Sequence, residues 1–189
     1  MSDKISNSAL LVIDCQKVFF NKNMRTYLPA SKEILSNIIR LVDLFRNKEL
    51  PLIFTRHAHK KGENTGQMGR WWNENLPFEN TEEAELVDEI KTFKDDIILT
   101  KSVYSAFEQT NLDSILKEKN VINTVICGVM TNLCVETTAR HAFMKNFQPI
   151  VISDACASKS LDYHNASLLN LSYGFAHIET TKNILEKIS

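Results

Sequence analysis

The chain lacks a charge imbalance, a long apolar run and any paired cysteines. Its 189 residues carry 22 Lys and Arg against 23 Asp and Glu, a formal charge of -1, which leaves no electrostatic reason to expect nucleic acid or an anionic membrane surface as partner. A small uncharged or mildly anionic ligand is easier to accommodate. No apolar stretch approaches the roughly 20 residues that a membrane helix requires. Residues 1–7 lack the apolar centre of a signal peptide, so a cytoplasmic protein is expected. The four cysteines, Cys15, Cys127, Cys134 and Cys156, form no C-x-x-C pair, a spacing that favours free thiols in a reducing compartment and suggests no zinc site. With five glycines and four prolines there is no low-complexity stretch, and no internal repeat is visible. What remains, 43% hydrophobic and 24% charged residues, fits one globular domain over residues 1–189 that buries its core without disulfides.

Short apolar runs alternate with segments of helical period, the pattern of repeated βα units and a parallel sheet covered on both faces. Strands are predicted at residues 9–13, 52–54, 97–99, 125–127, 149–152 and 176–178. Helices are predicted around Ile34, Ile38, Leu41, Val42 and Phe45, over residues 84–90, and around Leu112, Ile115 and Leu116. Further helices carry Val135, Ala139, Ala142 and Phe143, cover residues 162–173, and close the chain. Residues 56–79 show no period and read as a long irregular excursion of the kind that often serves as a lid.

In an open parallel α/β sheet the binding crevice lies beyond the carboxyl ends of the strands. Asp14 ends the first strand, Lys101 follows the third, and Cys134 follows the fourth in the first turn of a helix. A thiol at a helix N-terminus meets unpaired backbone N–H groups and the positive end of the dipole, which lower its pKa toward the nucleophilic thiolate. A nearby lysine favours the same form, a carboxylate can carry the proton, and the turn before Cys134 can offer N–H donors to an oxyanion. His141 lies seven residues along the helix from Cys134, roughly 10 Å of rise, and is out of reach as a base. His57, His59, His164 and His177 qualify only if the fold brings them close. Cys15, Cys127 and Cys156 read as packing residues.

These residues fall in blocks: Leu11-Val12-Ile13-Asp14-Cys15-Gln16 with Phe19; Phe54-Thr55-Arg56-His57; Lys101-Ser102-Val103-Tyr104-Ser105-Ala106-Phe107; Gly128-Val129-Met130-Thr131-Asn132-Leu133-Cys134-Val135-Glu136-Thr137-Thr138; and Ser153-Asp154-Ala155. In that order they resemble the isochorismatase-like cysteine hydrolases, a superfamily that includes nicotinamidase, N-carbamoylsarcosine amidase and isochorismatase. The resemblance implies a three-layer α/β/α sandwich around a mostly parallel, six-stranded, Rossmann-like sheet. It also implies a triad in which Asp14 deprotonates Cys134, Lys101 stabilises the charged pair, and Cys134 attacks a carbonyl to form a thioester. A non-proline cis bond at Val129–Met130 and an oxyanion hole from the backbone of Met130 and Cys134 follow from the same likeness. So do pocket positions at Phe19, Trp71 and Tyr104, with Trp71 and Trp72 hard to tell apart, and a homo-oligomer, dimer or tetramer.

His57 and His59, two apart on an extended segment, project to one side and look like a metal pair. Nicotinamidase-like relatives use an Asp-x-His pair with a later histidine, whereas here His57 stands at the aspartate position and no histidine follows before Lys101. Neither a metal nor another cofactor is expected. The expected activity is hydrolysis of a C–N bond in a small amide, carbamoyl compound or ureide. Two alternatives remain: an isochorismatase-type ether hydrolase, whose relatives lack the cysteine, and a non-catalytic α/β module whose thiol senses oxidants.

Overall fold

The structure, a computed structural model, describes residues 7–188, so the reading of residues 1–6 as free of a signal segment lies outside the described residues. Six strands, β1 (Ser8–Ile13), β2 (Leu52–His57), β3 (Ile97–Lys101), β4 (Asn123–Val129), β5 (Gln148–Ala157) and β6 (His177–Glu179), pair in the order β3-β2-β1-β4-β5-β6. Every pair is parallel, and helices flank the sheet, as the alternating apolar pattern predicts. The reason is visible in β1, where all six residues are buried. A strand covered on both faces reads as a continuous apolar run, and its parallel neighbours must be joined by crossovers long enough to hold a helix.

The helices are α1 (Lys17–Phe20), α2 (Ser31–Asn47), α3 (Gly66–Trp72), α4 (Leu112–Glu118), α5 (Glu136–Met144), α6 (Leu161–Gly174) and α7 (Thr181–Ile188). Helix α2 buries Ile34, Ile38, Leu41, Val42 and Phe45 against the sheet, each such side chain worth roughly 1.5–3 kcal/mol. Among the described residues no helix is long and apolar enough to cross a membrane.

Two segments depart from the sequence reading. Residues 84–90 form no helix: a 3-10 turn covers Glu82–Ala84 and an isolated bridge joins Leu86 to Gln16. The backbone is occupied elsewhere, because Lys17 N–H donates to Glu85 O (2.8 Å) and Val87 N–H donates to Cys15 O (3.0 Å). These tertiary bonds displace the helical ones that the spacing of Val87 and Ile90 suggests. In residues 56–79 the strand continues to His57 and the excursion contains α3.

The sequence order reverses between β1 and β4, the place where open α/β sheets hold ligands. Their tips meet closely. Gly128 pairs with Ile13 at φ +115°, and a Cβ there would lie 2.1 Å from the Ile13 carbonyl oxygen. Only glycine lets the two strand ends approach so near.

Candidate active site

Asp14 leaves β1 with φ +49°, a left-handed turn that is costly for a residue other than glycine and is tolerated where the surroundings fix it. Thr55 does the fixing. Its hydroxyl donates to Asp14 Oδ1 (2.6 Å) and accepts from the Asp14 backbone N–H (3.1 Å). The other carboxylate oxygen, Oδ2, accepts from Lys101 Nζ at 2.7 Å. Both side chains are buried.

Lys101 spends its three donors locally: on Asp14, on the Val103 carbonyl (3.1 Å) and on Cys134 Sγ (3.4 Å). The ammonium therefore bridges the carboxylate and the thiol. Burial pushes its pKa down, but the Asp14 carboxylate and the Cys134 sulfur outweigh burial and hold it above the ordinary lysine value. A buried charge survives only when so compensated.

Cys134 stands in a five-residue turn of π type, Thr131–Val135, closed by the bond from Val135 N–H to Met130 O (3.2 Å), and α5 begins at Glu136. The preceding peptide, Val129–Met130, is cis. The expectation of a lowered thiol pKa needs correction. Burial pushes the thiol up, the Lys101 ammonium pulls it down, the Asp14 carboxylate pushes it up again, and the net direction is upward. The resting group is a protonated thiol beside a carboxylate that can take its proton.

A small cavity of about 60 Å³ opens over these groups. Phe19, Tyr104, Met130 and Cys134 line it, as do Thr26, His57, Met68, Trp72, Asn75, Leu76, Pro77 and Leu133. The tryptophan on the wall is Trp72, whose indole N–H donates to the Tyr104 hydroxyl (2.9 Å), whereas Trp71 is 72% exposed. Arg25 ties the mouth together by donating to the Leu76 carbonyl and Asn75 Oδ1, both at 2.7 Å. Thr55, Gln16 and the wall role of His57 were not singled out from sequence. The signal available for Thr55 was a polar residue directly after the apolar run Leu52-Ile53-Phe54.

Of the histidines, only His57 reaches the cluster: donor atoms of Asp14, His57 and Cys134 lie within 4.8 Å of one another. His141 is held by Ser105 Oγ (2.8 Å), His164 by Thr131 Oγ1 (2.9 Å) and His177 by Gln148 (3.2 Å). His59 Nδ1 is taken by Glu63 at 2.7 Å. A metal ion among Asp14, His57 and Cys134 would sit against the Lys101 ammonium, which already holds the carboxylate, so the donor set does not suit one.

Burial, reinforced by the Lys101 charge and opposed by Asp14, lowers the His57 pKa to about 3. The sign has a consequence for stability. Below the unfolded value near 6.5 the unfolded chain binds a proton that the folded chain refuses, so stability falls as pH drops from about 6.5 toward 3, at about 1.4 kcal/mol per pH unit. Urea titrations across this window should show the loss in the wild type and a shallower slope in His57→Leu; equal slopes would refute the assignment.

A family model described as "Isochorismatase domain" matches residues 8–183. The chain is 38% identical over 174 residues to nicotinamidase 3 of Arabidopsis thaliana, covering 90% of this chain and 83% of that protein. Among solved structures, a cysteine hydrolase from Pseudomonas syringae pv. phaseolicola superposes with a TM-score of 0.92 at 28% identity, covering 96% and 92% of the two chains. N-carbamoylsarcosine amidase from Thermoplasma acidophilum superposes with a TM-score of 0.80 at 26% identity, covering 93% and 96%.

Proposed function

Given that the chain belongs to the isochorismatase family and is a hydrolase of that family, we propose that it cleaves a C–N bond of a small amide through a thioester on Cys134. The observation that carries this reading is the single ammonium of Lys101 touching both Asp14 and Cys134 beneath a cavity that Cys134 lines. The amide names of similar proteins, nicotinamidase and N-carbamoylsarcosine amidase, support the bond type.

Asp14 accepts the thiol proton as Cys134 Sγ forms its bond to the carbonyl carbon. Lys101 offsets the negative charge as it moves from carboxylate to sulfur. The backbone N–H groups of Met130 and Cys134 are assigned to the carbonyl oxygen as it becomes an oxyanion. The C–N bond then breaks, with the proton passing from Asp14 to the leaving nitrogen. Water attacks the thioester while Asp14 takes its proton, the C–S bond breaks, and the proton returns to sulfur. His57 is a poorer base than Asp14 in this setting, because a second cation would have to form beside Lys101.

The test is a panel of small amides, carbamoyl compounds and ureides assayed for released ammonia or amine, with intact-mass spectrometry of the quenched enzyme. A substrate should yield amine together with an acyl adduct on Cys134. Amine release without any adduct at Cys134, even from slow substrates, or no turnover across the panel, would refute the proposal.

A further inference from the structure

Asp14 and Lys101 leave strands that are not neighbours, because β2 runs between β1 and β3. Their ion pair therefore spans the end of β2, and the side chain of that strand which meets Asp14 is Thr55. The ladder between β1 and β2 ends at Val12 and Phe54. Beyond it the Asp14 N–H donates to the Thr55 hydroxyl, at 3.1 Å, rather than to a backbone carbonyl. That bond occupies the acceptor side of Thr55 Oγ1 and turns its hydrogen toward Asp14 Oδ1, 2.6 Å away, the length of a charge-assisted bond to an ionised carboxylate. Among the described residues the structure gives that hydrogen no other acceptor.

Packing alone does not ask for a hydroxyl here. Thr55 is fully buried and follows Leu52, Ile53 and Phe54 in β2, where valine would have a similar shape and no polar atom to desolvate. Both hydrogen bonds of the hydroxyl go to one residue. Thr55 thereby grips Asp14 by its backbone and by its side chain, in the left-handed conformation from which the carboxylate reaches Lys101. In the proposed hydrolysis that carboxylate has work that needs such a grip: it receives the thiol proton, delivers it to the leaving nitrogen and takes another from water. Each transfer requires the oxygen at hydrogen-bond distance, and a misplacement of about 1 Å can cost 10²-fold in rate.

We propose that Thr55 is the positioning residue of the base: its hydroxyl fixes the Asp14 carboxylate beside Lys101 and Cys134 and, as a donor to Oδ1, keeps that carboxylate ionised and ready for a proton. The inference rests on Asp14 as the proton carrier of the proposed thioester route. Thr55 acts only through Asp14. The titratable groups that feel the Asp14 charge are Lys101 from β3, His57 from β2, Cys134 from the π turn and Cys15 next in the chain. Replacing Thr55 by valine adds or removes no charge, so an altered pH response reports on the lost hydrogen bond.

The experiment compares wild type, Thr55→Val and Thr55→Ser as full-length proteins, with thermal unfolding as the control for folding. On the best amide of the panel, kcat should fall by about 10–100-fold in Thr55→Val while KM stays within about twofold. The acid limb of kcat/KM should move by about one unit to higher pH, the displacement that loss of one hydrogen bond to a charged group supports. Thr55→Ser restores the hydroxyl, so kcat should recover to within about threefold and the limb should return to its wild-type position. An NMR titration of the Asp14 carboxyl carbon, assigned by its loss in Asp14→Asn, should move in the same direction with no substrate present. If Thr55→Val does not fold, Thr55→Cys takes its place, keeping the bulk with a much weaker donor.

A Thr55→Val enzyme with the kcat and acid limb of the wild type would overturn the inference. So would a serine variant as impaired as the valine one, which would make the methyl group rather than the hydroxyl the part that matters. The two proposals fail separately. If the wild type hydrolyses no amide, the thioester reading falls and the carboxyl titration decides this one: a midpoint raised in Thr55→Val sustains the hold of Thr55 on Asp14, and an unchanged midpoint removes it. Turnover through an acyl-enzyme that is indifferent to the hydroxyl at residue 55 would leave the thioester standing and sink this inference.

Discussion

Cys134→Ser is expected to lower amine release by about 10⁴-fold or more while leaving the fold intact. Sulfur and oxygen differ little in shape, and Lys101 Nζ can donate to a hydroxyl as it does to Sγ at 3.4 Å. They differ greatly in acidity. The native site already relies on Asp14 to remove a proton from a thiol that burial holds up. A hydroxyl is far less acidic still, so a carboxylate has little hold on its proton. The measurement is steady-state release on the best amide of the panel, with thermal unfolding as the control for folding. A variant that retains more than about a hundredth of the activity would show that the attacking atom is not on residue 134. The same experiment addresses the redox-sensor alternative. A sensor needs an accessible thiolate, whereas Cys134 is 8% exposed and its pKa is raised, so slow alkylation of the resting wild type at neutral pH is the expected companion result.

What the sequence made legible follows from where local and tertiary forces agree. β1, β4 and β5 read as apolar runs because both faces are covered, and α2 reads as a stripe because only one is. Asp14, Lys101 and Cys134 could be brought together on paper because parallel strands deliver their carboxyl ends to one edge. The misreadings share another cause, namely contacts from distant chain. The segment containing Val87 and Ile90 has helical spacing, but its backbone bonds to Cys15 and Lys17 instead. Trp71 and Trp72 are neighbours on α3, and only the position of Tyr104, 32 residues on, determines which faces the cavity. For the thiol, a helix terminus is a local feature that lowers the pKa, whereas burial and the Asp14 charge, which oppose it, come from elsewhere in the fold.

Asp14→Asn and Lys101→Met should move Cys134 in opposite directions although both abolish turnover. Asp14 raises the thiol pKa and Lys101 lowers it. Removing the carboxylate leaves an ammonium next to sulfur with no competing anion, so the profile of iodoacetamide alkylation against pH should shift to lower pH in Asp14→Asn. Removing the ammonium leaves sulfur beside an uncompensated carboxylate, and the profile of Lys101→Met should shift to higher pH. Sulfur in Asp14→Asn is then a readier thiolate than in the wild type. Hydrolysis should nonetheless fall by about 10²–10⁴-fold, because no group is left to carry a proton to the leaving nitrogen or from the attacking water. Stability should suffer in both variants. Lys101→Met strands a buried carboxylate whose remaining side-chain partner is Thr55, and Asp14→Asn strands a buried ammonium, each a loss of about 3–5 kcal/mol. Both should therefore unfold at a lower temperature than the wild type. Alkylation profiles that shift the same way, or not at all, would mean that the three groups do not share one electrostatic site.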